Sequence, residues 1–131
     1  MPAYPQSAAR LVLLVDEDLR TVRRLARMLR EDGFQVEVAC DGAAAIARFS
    51  RAPVPVALVT ELTIAHVDGI SVSHYARTRR PGLPVFIVTG HPHLIAPGAV
   101  GEPPTVVFTK PLEYAMLRDA LLLALREPPQ D

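Results

Sequence analysis

The residues most able to do chemistry sit at the ends of apolar runs. Val56-Ala57-Leu58-Val59-Thr60 ends on the carboxylate of Glu61, and a short loop then reaches Asp68-Gly69. Leu11 to Val15 is five apolar residues in a row and stops at Asp16-Glu17-Asp18. Val85-Phe86-Ile87-Val88 ends at Thr89, and Val106-Val107-Phe108-Thr109 ends at Lys110-Pro111. Short apolar runs of this kind suit strands buried on both faces. In open α/β sheets, groups at the carboxyl ends of parallel strands face the ligand crevice. Clustered carboxylates repel one another unless a cation lies among them. Oxygen ligands with a lysine and a hydroxyl suit a hard divalent ion and a phosphoryl group. Matching groups at four strand ends make the pattern specific. Asp18 has a second reading, as the N-cap of the helix that follows.

The elements needed to hold those groups are legible. Residues 19–32 repeat Leu19, Val22, Leu25, Ala26 and Leu29 at helical spacing, and Gly33 ends the pattern. Arg20, Arg23, Arg24, Arg27 and Arg30 occupy most of its remaining surface, where a solvated face is the simpler reading than an acidic partner. Residues 35–39 alternate polar and apolar, as a less buried strand near an edge does. Residues 43–50 form an alanine-rich helix. A third helix starts at Asp68-Gly69, with Ile70, Val72, His74, Tyr75 and Ala76 as its bulky or apolar surface, and Pro81-Gly82 stops it. Residues 91–104 contain four prolines and two glycines, which excludes a long regular helix and leaves room for one turn near residues 93–96. Residues 112–127 read as a strong final helix whose apolar surface, widened by Met116, Leu122 and Leu123, suits a core contact or a homodimer.

Strand then helix, five times over, implies parallel strands joined by right-handed crossovers. The expected fold is an α/β, doubly wound, five-stranded parallel sheet, flavodoxin-like (βα)5, in the order 2-1-3-4-5. The expected organisation is a disordered tail over residues 1–9, one domain over 10–127, and a short tail over 128–131.

Composition narrows the classes. The chain has 131 residues, with 14 basic and 14 acidic side chains, so net charge favours neither nucleic acid nor a membrane surface. No apolar run is long enough to span a bilayer, and the first residues lack a signal-peptide pattern. The single cysteine, Cys40, cannot form an intrachain disulfide. A cytoplasmic protein is expected. Asp16-Glu17-Asp18 would repel phosphate where a flavodoxin cradles it, and P-loop and dinucleotide fingerprints are absent. His91 and His93 lack matching metal ligands, so surface histidines are expected.

Over residues 10–127 the chain resembles the receiver domains of two-component response regulators. The resemblance rests on Asp16-Glu17, the Asp68-Gly69 loop, Thr89 and Lys110-Pro111. It implies a phosphoacceptor at the end of strand 3, a magnesium-binding acidic pair after strand 1, and a hydroxyl and a lysine on the phosphoryl oxygens. Counting back from Asp68-Gly69 puts Glu61 where the family has the acceptor aspartate. Ala65 replaces the usual loop proline, and Val107 replaces the usual switch aromatic. By analogy, Asp16, Glu17, Glu61 and the carbonyl of Thr63 are the candidate magnesium ligands; Lys110 paired with Glu61 is the competing arrangement. The expected function is that of a single-domain pseudo-receiver, not an enzyme, signalling by protein binding in a phosphorelay, with a histidine kinase or a downstream effector as partner. A receiver that accepts a phosphoryl group from a histidine kinase is the alternative.

Overall fold

The structure is a computed structural model that describes residues 10–99 and 105–126. The expected tails, 1–9 and 128–131, lie outside the described residues. Five parallel strands form one sheet in the order β2-β1-β3-β4-β5: β1 is Leu11–Val15, β2 Gln35–Ala39, β3 Ala57–Thr60, β4 Val85–Thr89 and β5 Thr105–Thr109. Four helices are described: α1 Leu19–Glu31, α2 Gly42–Phe49, α3 Gly69–Arg79 and α4 Tyr114–Ala124. The expected fold class and strand order are those observed.

Alternation along the strands divides the core into two layers. Val12, Leu14, Val59, Phe86 and Val88 face α1 and α4, where Val22, Ala26, Leu29, Leu117 and Leu121 complete one cluster. Leu13, Val15, Leu58, Val85 and Ile87 face α2 and α3, with Ala45, Phe49, Val72 and Ala76. Removing Leu117 or Leu121 down to alanine would cost about 2–5 kcal/mol, the range for buried leucines.

Three helices begin on aspartates. Asp18, Asp41 and Asp68 accept backbone N–H bonds from the first turns of α1, α2 and α3. In the fourth crossover the described residues hold only a short 3-10 turn, Pro92–Leu94, close to where the proline pattern left room for one. The last helix is shorter than expected at both ends: it starts after the Glu113 N-cap position, beyond Pro111, and its C-cap is Leu125. Two helix faces differ from those expected. Leu19 is exposed and α1 buries Val22, Ala26 and Leu29; in α3 Ser73 is buried and His74 is exposed. Ser73 fits because its hydroxyl donates to the Ile70 carbonyl, 2.6 Å, leaving only a small side chain to bury. Among the described residues no helix is long and apolar enough to cross a membrane.

Candidate functional site

The four parallel strands β1, β3, β4 and β5 bring their last residues to one rim. The hydrogen-bond ladder runs one rung past the strands. Asp16 N–H donates to the Ala39 carbonyl (3.2 Å), Glu61 N–H to Val15 (2.9 Å) and Lys110 N–H to Thr89 (2.9 Å). The backbone under each candidate side chain is therefore fixed by the neighbouring strand.

The side chains converge. Lys110 Nζ lies 2.8 Å from Glu61 Oε1 and 3.2 Å from Asp16 Oδ2. Glu61 Oε2 accepts the Leu62 N–H at 2.6 Å. Asp16 Oδ1 accepts the Asp18 N–H at 2.9 Å, which ties the pocket to the cap of α1. Thr89 is fully buried and its Oγ1 accepts the His91 N–H at 3.0 Å; its side chain also helps to hold the Glu61 carboxyl below its ordinary value. Glu61 is 14% and Lys110 33% exposed, so the pair is shielded but not dry.

Electrostatics follow from those contacts. Burial pushes the Glu61 carboxyl up, but the Lys110 hydrogen bond, the Leu62 N–H, the lysine charge and Thr89 outweigh it and hold the group below its ordinary value. Burial likewise disfavours the Lys110 ammonium, yet Glu61 and Asp16 together raise its pKa. Each partner keeps the other charged.

The loop from Glu61 to α3 is built for close approach. Gly69 N–H donates to the Leu62 carbonyl (2.9 Å), and a methyl at Gly69 would sit 2.3 Å from the Glu61 carbonyl oxygen. The Thr60 hydroxyl donates to that same oxygen at 2.8 Å. The Asp-Gly pair thus does two jobs: Asp68 caps α3 and Gly69 lets the helix start against the carbonyl of Glu61.

Of the residues singled out from sequence, Asp16, Glu61, Thr89 and Lys110 come together. Glu17 and Thr63 are exposed and join none of these contacts, and Val107 is 37% exposed on the face of β5 opposite Phe108. Phe108 stacks on Phe86 within the α1–α4 layer, with ring centroids 6.3 Å apart. Sequence reasoning missed one signal: Lys110 is the only lysine among 14 basic residues. Its ammonium is a compact point charge whose rotatable donors serve both Asp16 and Glu61.

Magnesium, which one or two carboxylates can hold, would have to displace Lys110 here. Among the described residues no three His, Cys, Asp or Glu side chains converge as ligands. Lys110 holds the position between Asp16 and Glu61, so a divalent ion competes with it for the same oxygens.

The response regulator receiver domain model matches residues 12–121. The chain belongs to the response regulator receiver domain family. This receiver is 34% identical over 124 residues to the photosynthetic apparatus regulatory protein RegA of Rhodovulum sulfidophilum, covering 92% of the chain and 67% of RegA. With RegA of Rhodobacter capsulatus it shares 32% identity over 126 residues, 93% of the chain and 68% of the relative. The chain thus spans about two thirds of those regulators. Among solved structures it is similar to a response regulator receiver protein from Sinorhizobium medicae, with TM-score 0.80 and 27% identity over 88% of the chain and 93% of that protein. The receiver domain of the sensor histidine kinase PA1611 from Pseudomonas aeruginosa, solved with a magnesium ion in its active-site cleft, shares the fold at TM-score 0.76 and 20% identity, over 88% of the chain and 97% of that domain.

Proposed function

We propose that this receiver works without phosphoryl transfer: Glu61 stands at the acceptor position and Lys110 closes it. The observation that carries the reading is that both oxygens of the carboxylate already have partners. One oxygen meets Lys110 at 2.8 Å and the other accepts the Leu62 N–H at 2.6 Å. In a receiver taking a phosphoryl group, the lysine and hydroxyl would serve the incoming oxygens. Here the extra methylene of glutamate carries its own oxygens outward by ~1.5 Å to meet them. In-line attack is sensitive to such misplacement, at roughly 100-fold per ~1 Å.

On this reading the chain is a pseudo-receiver of a two-component pathway that acts in the cytoplasm through protein contacts, residues 10–127 forming its one folded unit. Its partner face is β5 with α4, where Val106, Val107, Met116, Leu122 and Leu123 are exposed. A histidine kinase or a downstream effector is the partner class; self-association through α4 is the other use of that face, and sedimentation velocity separates the two.

Incubation with a small acyl phosphate and magnesium, followed by intact-mass measurement, tests the proposal. The natural chain stays unmodified, and Glu61→Asp gains one phosphoryl group. A phosphoryl gain on the natural chain that disappears in Glu61→Gln would instead establish the phosphoacceptor alternative.

A further inference from the structure

Arg20, Arg23, Arg24 and Arg27 of α1 are all exposed and by themselves line one surface concavity of about 410 Å³. None of the four guanidinium groups forms a salt bridge among the described residues. Several arginines elsewhere are employed in the fold: Arg48 holds Glu37 and two carbonyls, Arg79 the Phe49 carbonyl, and Arg80 the carbonyls of Val54 and Pro55. The α1 group has no such structural use.

Its arrangement is also unfavourable in isolation. Spacings of three and four residues set each of the four beside two like charges on the helix surface. Arg20 lies in the first turn, where the helix dipole disfavours a cation, and the Asp18 cap offsets that only in part. A bound anion would relieve both effects.

Neighbouring charges limit what that anion can be. From residue 20 to 27 the stripe runs roughly 10 Å along the helix. Asp16, Glu17 and Asp18 close one end and Glu31 and Asp32 the other. A nucleic-acid strand or an acidic helix laid along α1 would run into carboxylates at both ends; a compact anion would not. Guanidinium forks match pairs of phosphate oxygens. We propose that the α1 concavity binds a compact polyphosphate anion of triphosphate size, inorganic or carried on a nucleoside. This site is separate from the Glu61 pocket and does not depend on how that pocket works.

Isothermal titration in magnesium-free, low-salt buffer tests it with sodium tripolyphosphate, ATP, orthophosphate, a hexaglutamate peptide and a short oligonucleotide. Tripolyphosphate is expected to bind one to one and more than about tenfold tighter than orthophosphate, a gap of ~1.4 kcal/mol. Arg23→Gln with Arg24→Gln should weaken it at least about tenfold, and Arg51→Gln, outside the stripe, by less than about twofold. The thermal midpoint of the double variant should not fall, since like charges have been removed. Equal binding of ATP assigns the site to the phosphate chain alone, and tighter binding of ATP assigns it to a nucleotide; both support the proposal. No saturable binding, unchanged affinity in the double variant, or a preference for hexaglutamate or the oligonucleotide would overturn it. If the double variant is unfolded by circular dichroism, Arg27→Gln alone takes its place, and an affinity equal to that of the natural chain overturns the proposal in the same way.

Discussion

Replacing Glu61 by glutamine removes one charge and keeps the shape of the side chain. Lys110 then loses its partner at 2.8 Å and keeps Asp16 at 3.2 Å. Stripping one partner from a fully buried pair costs about 3–5 kcal/mol. Here Lys110 is one-third exposed and Asp16 still neutralises it, so a loss of about 1–2 kcal/mol is expected after screening. For a chain of 131 residues this lowers the thermal midpoint by roughly 4–7 °C. The effect must depend on pH with a definite sign. Glu61 is more acidic folded than unfolded, so its contribution is complete above its ordinary value of 4.5 and is lost as pH falls through the folded value. Lys110 is more basic folded, so its contribution is complete below 10.5 and is lost as pH rises through the folded value. The gap between natural chain and variant should therefore hold steady from about pH 6 to pH 9 and close at both extremes. Calorimetry from below pH 4.5 to above pH 10.5, with Lys110→Met completing a double-mutant cycle, measures the coupling and its loss at both ends. A gap that ignores pH, or no coupling between the two positions, would refute the reasoning.

Two further outcomes follow from the same geometry. Gly69→Ala drives a methyl to 2.3 Å from the Glu61 carbonyl oxygen, so the start of α3 must shift; a loss of about 1–3 kcal/mol in urea unfolding is expected, as for other overpacked sites. Tyr114→Phe removes the hydroxyl that donates to Asp32 at 2.5 Å and lies 3.1 Å from the Met28 carbonyl, a contact that joins α4 to the end of α1; about 1 kcal/mol should be lost in the same assay, with the slope unchanged.

Most of the sheet was readable because its strands are apolar on both faces and end on polar residues. Apolar runs of five residues in β1 and four in β4 leave little choice of element, and the alternation in β2 marks it as an edge. The pocket was readable for the same reason: Asp16, Glu61, Thr89 and Lys110 each stand at or just past a strand end, so topology alone brings them together. What could not be read was which way the network closes. Acid, lysine and hydroxyl at one rim suit both a metal-bound phosphoryl site and a self-contained ion pair. On the proposed reading side-chain length decides between them, because the glutamate reaches Lys110 directly. Glu17 and Thr63 show the limit, since residues beside or near them in sequence join the pocket and they do not. In α1 the apolar spacing located the helix but not its exact face: Leu19 falls within the periodic pattern and yet is exposed, while Val22, Ala26 and Leu29 take the core. The close approaches of Gly69 to Glu61 and of Gly42 to Val67 depend on how loops and helix starts meet in space, so the dipeptides Asp-Gly announced helix caps and not the contacts that require glycine.

Because Lys110 is the chain's only lysine, selective carbon-13 labelling at lysine Cε gives one side-chain resonance to follow. This resonance is expected to titrate above 10.5 in the natural chain, to move back toward that value in Glu61→Gln, and to stay put when magnesium and an acyl phosphate are added. A resonance that titrates at 10.5, ignores Glu61→Gln and shifts on addition of the acyl phosphate would contradict a pocket closed by its own ion pair.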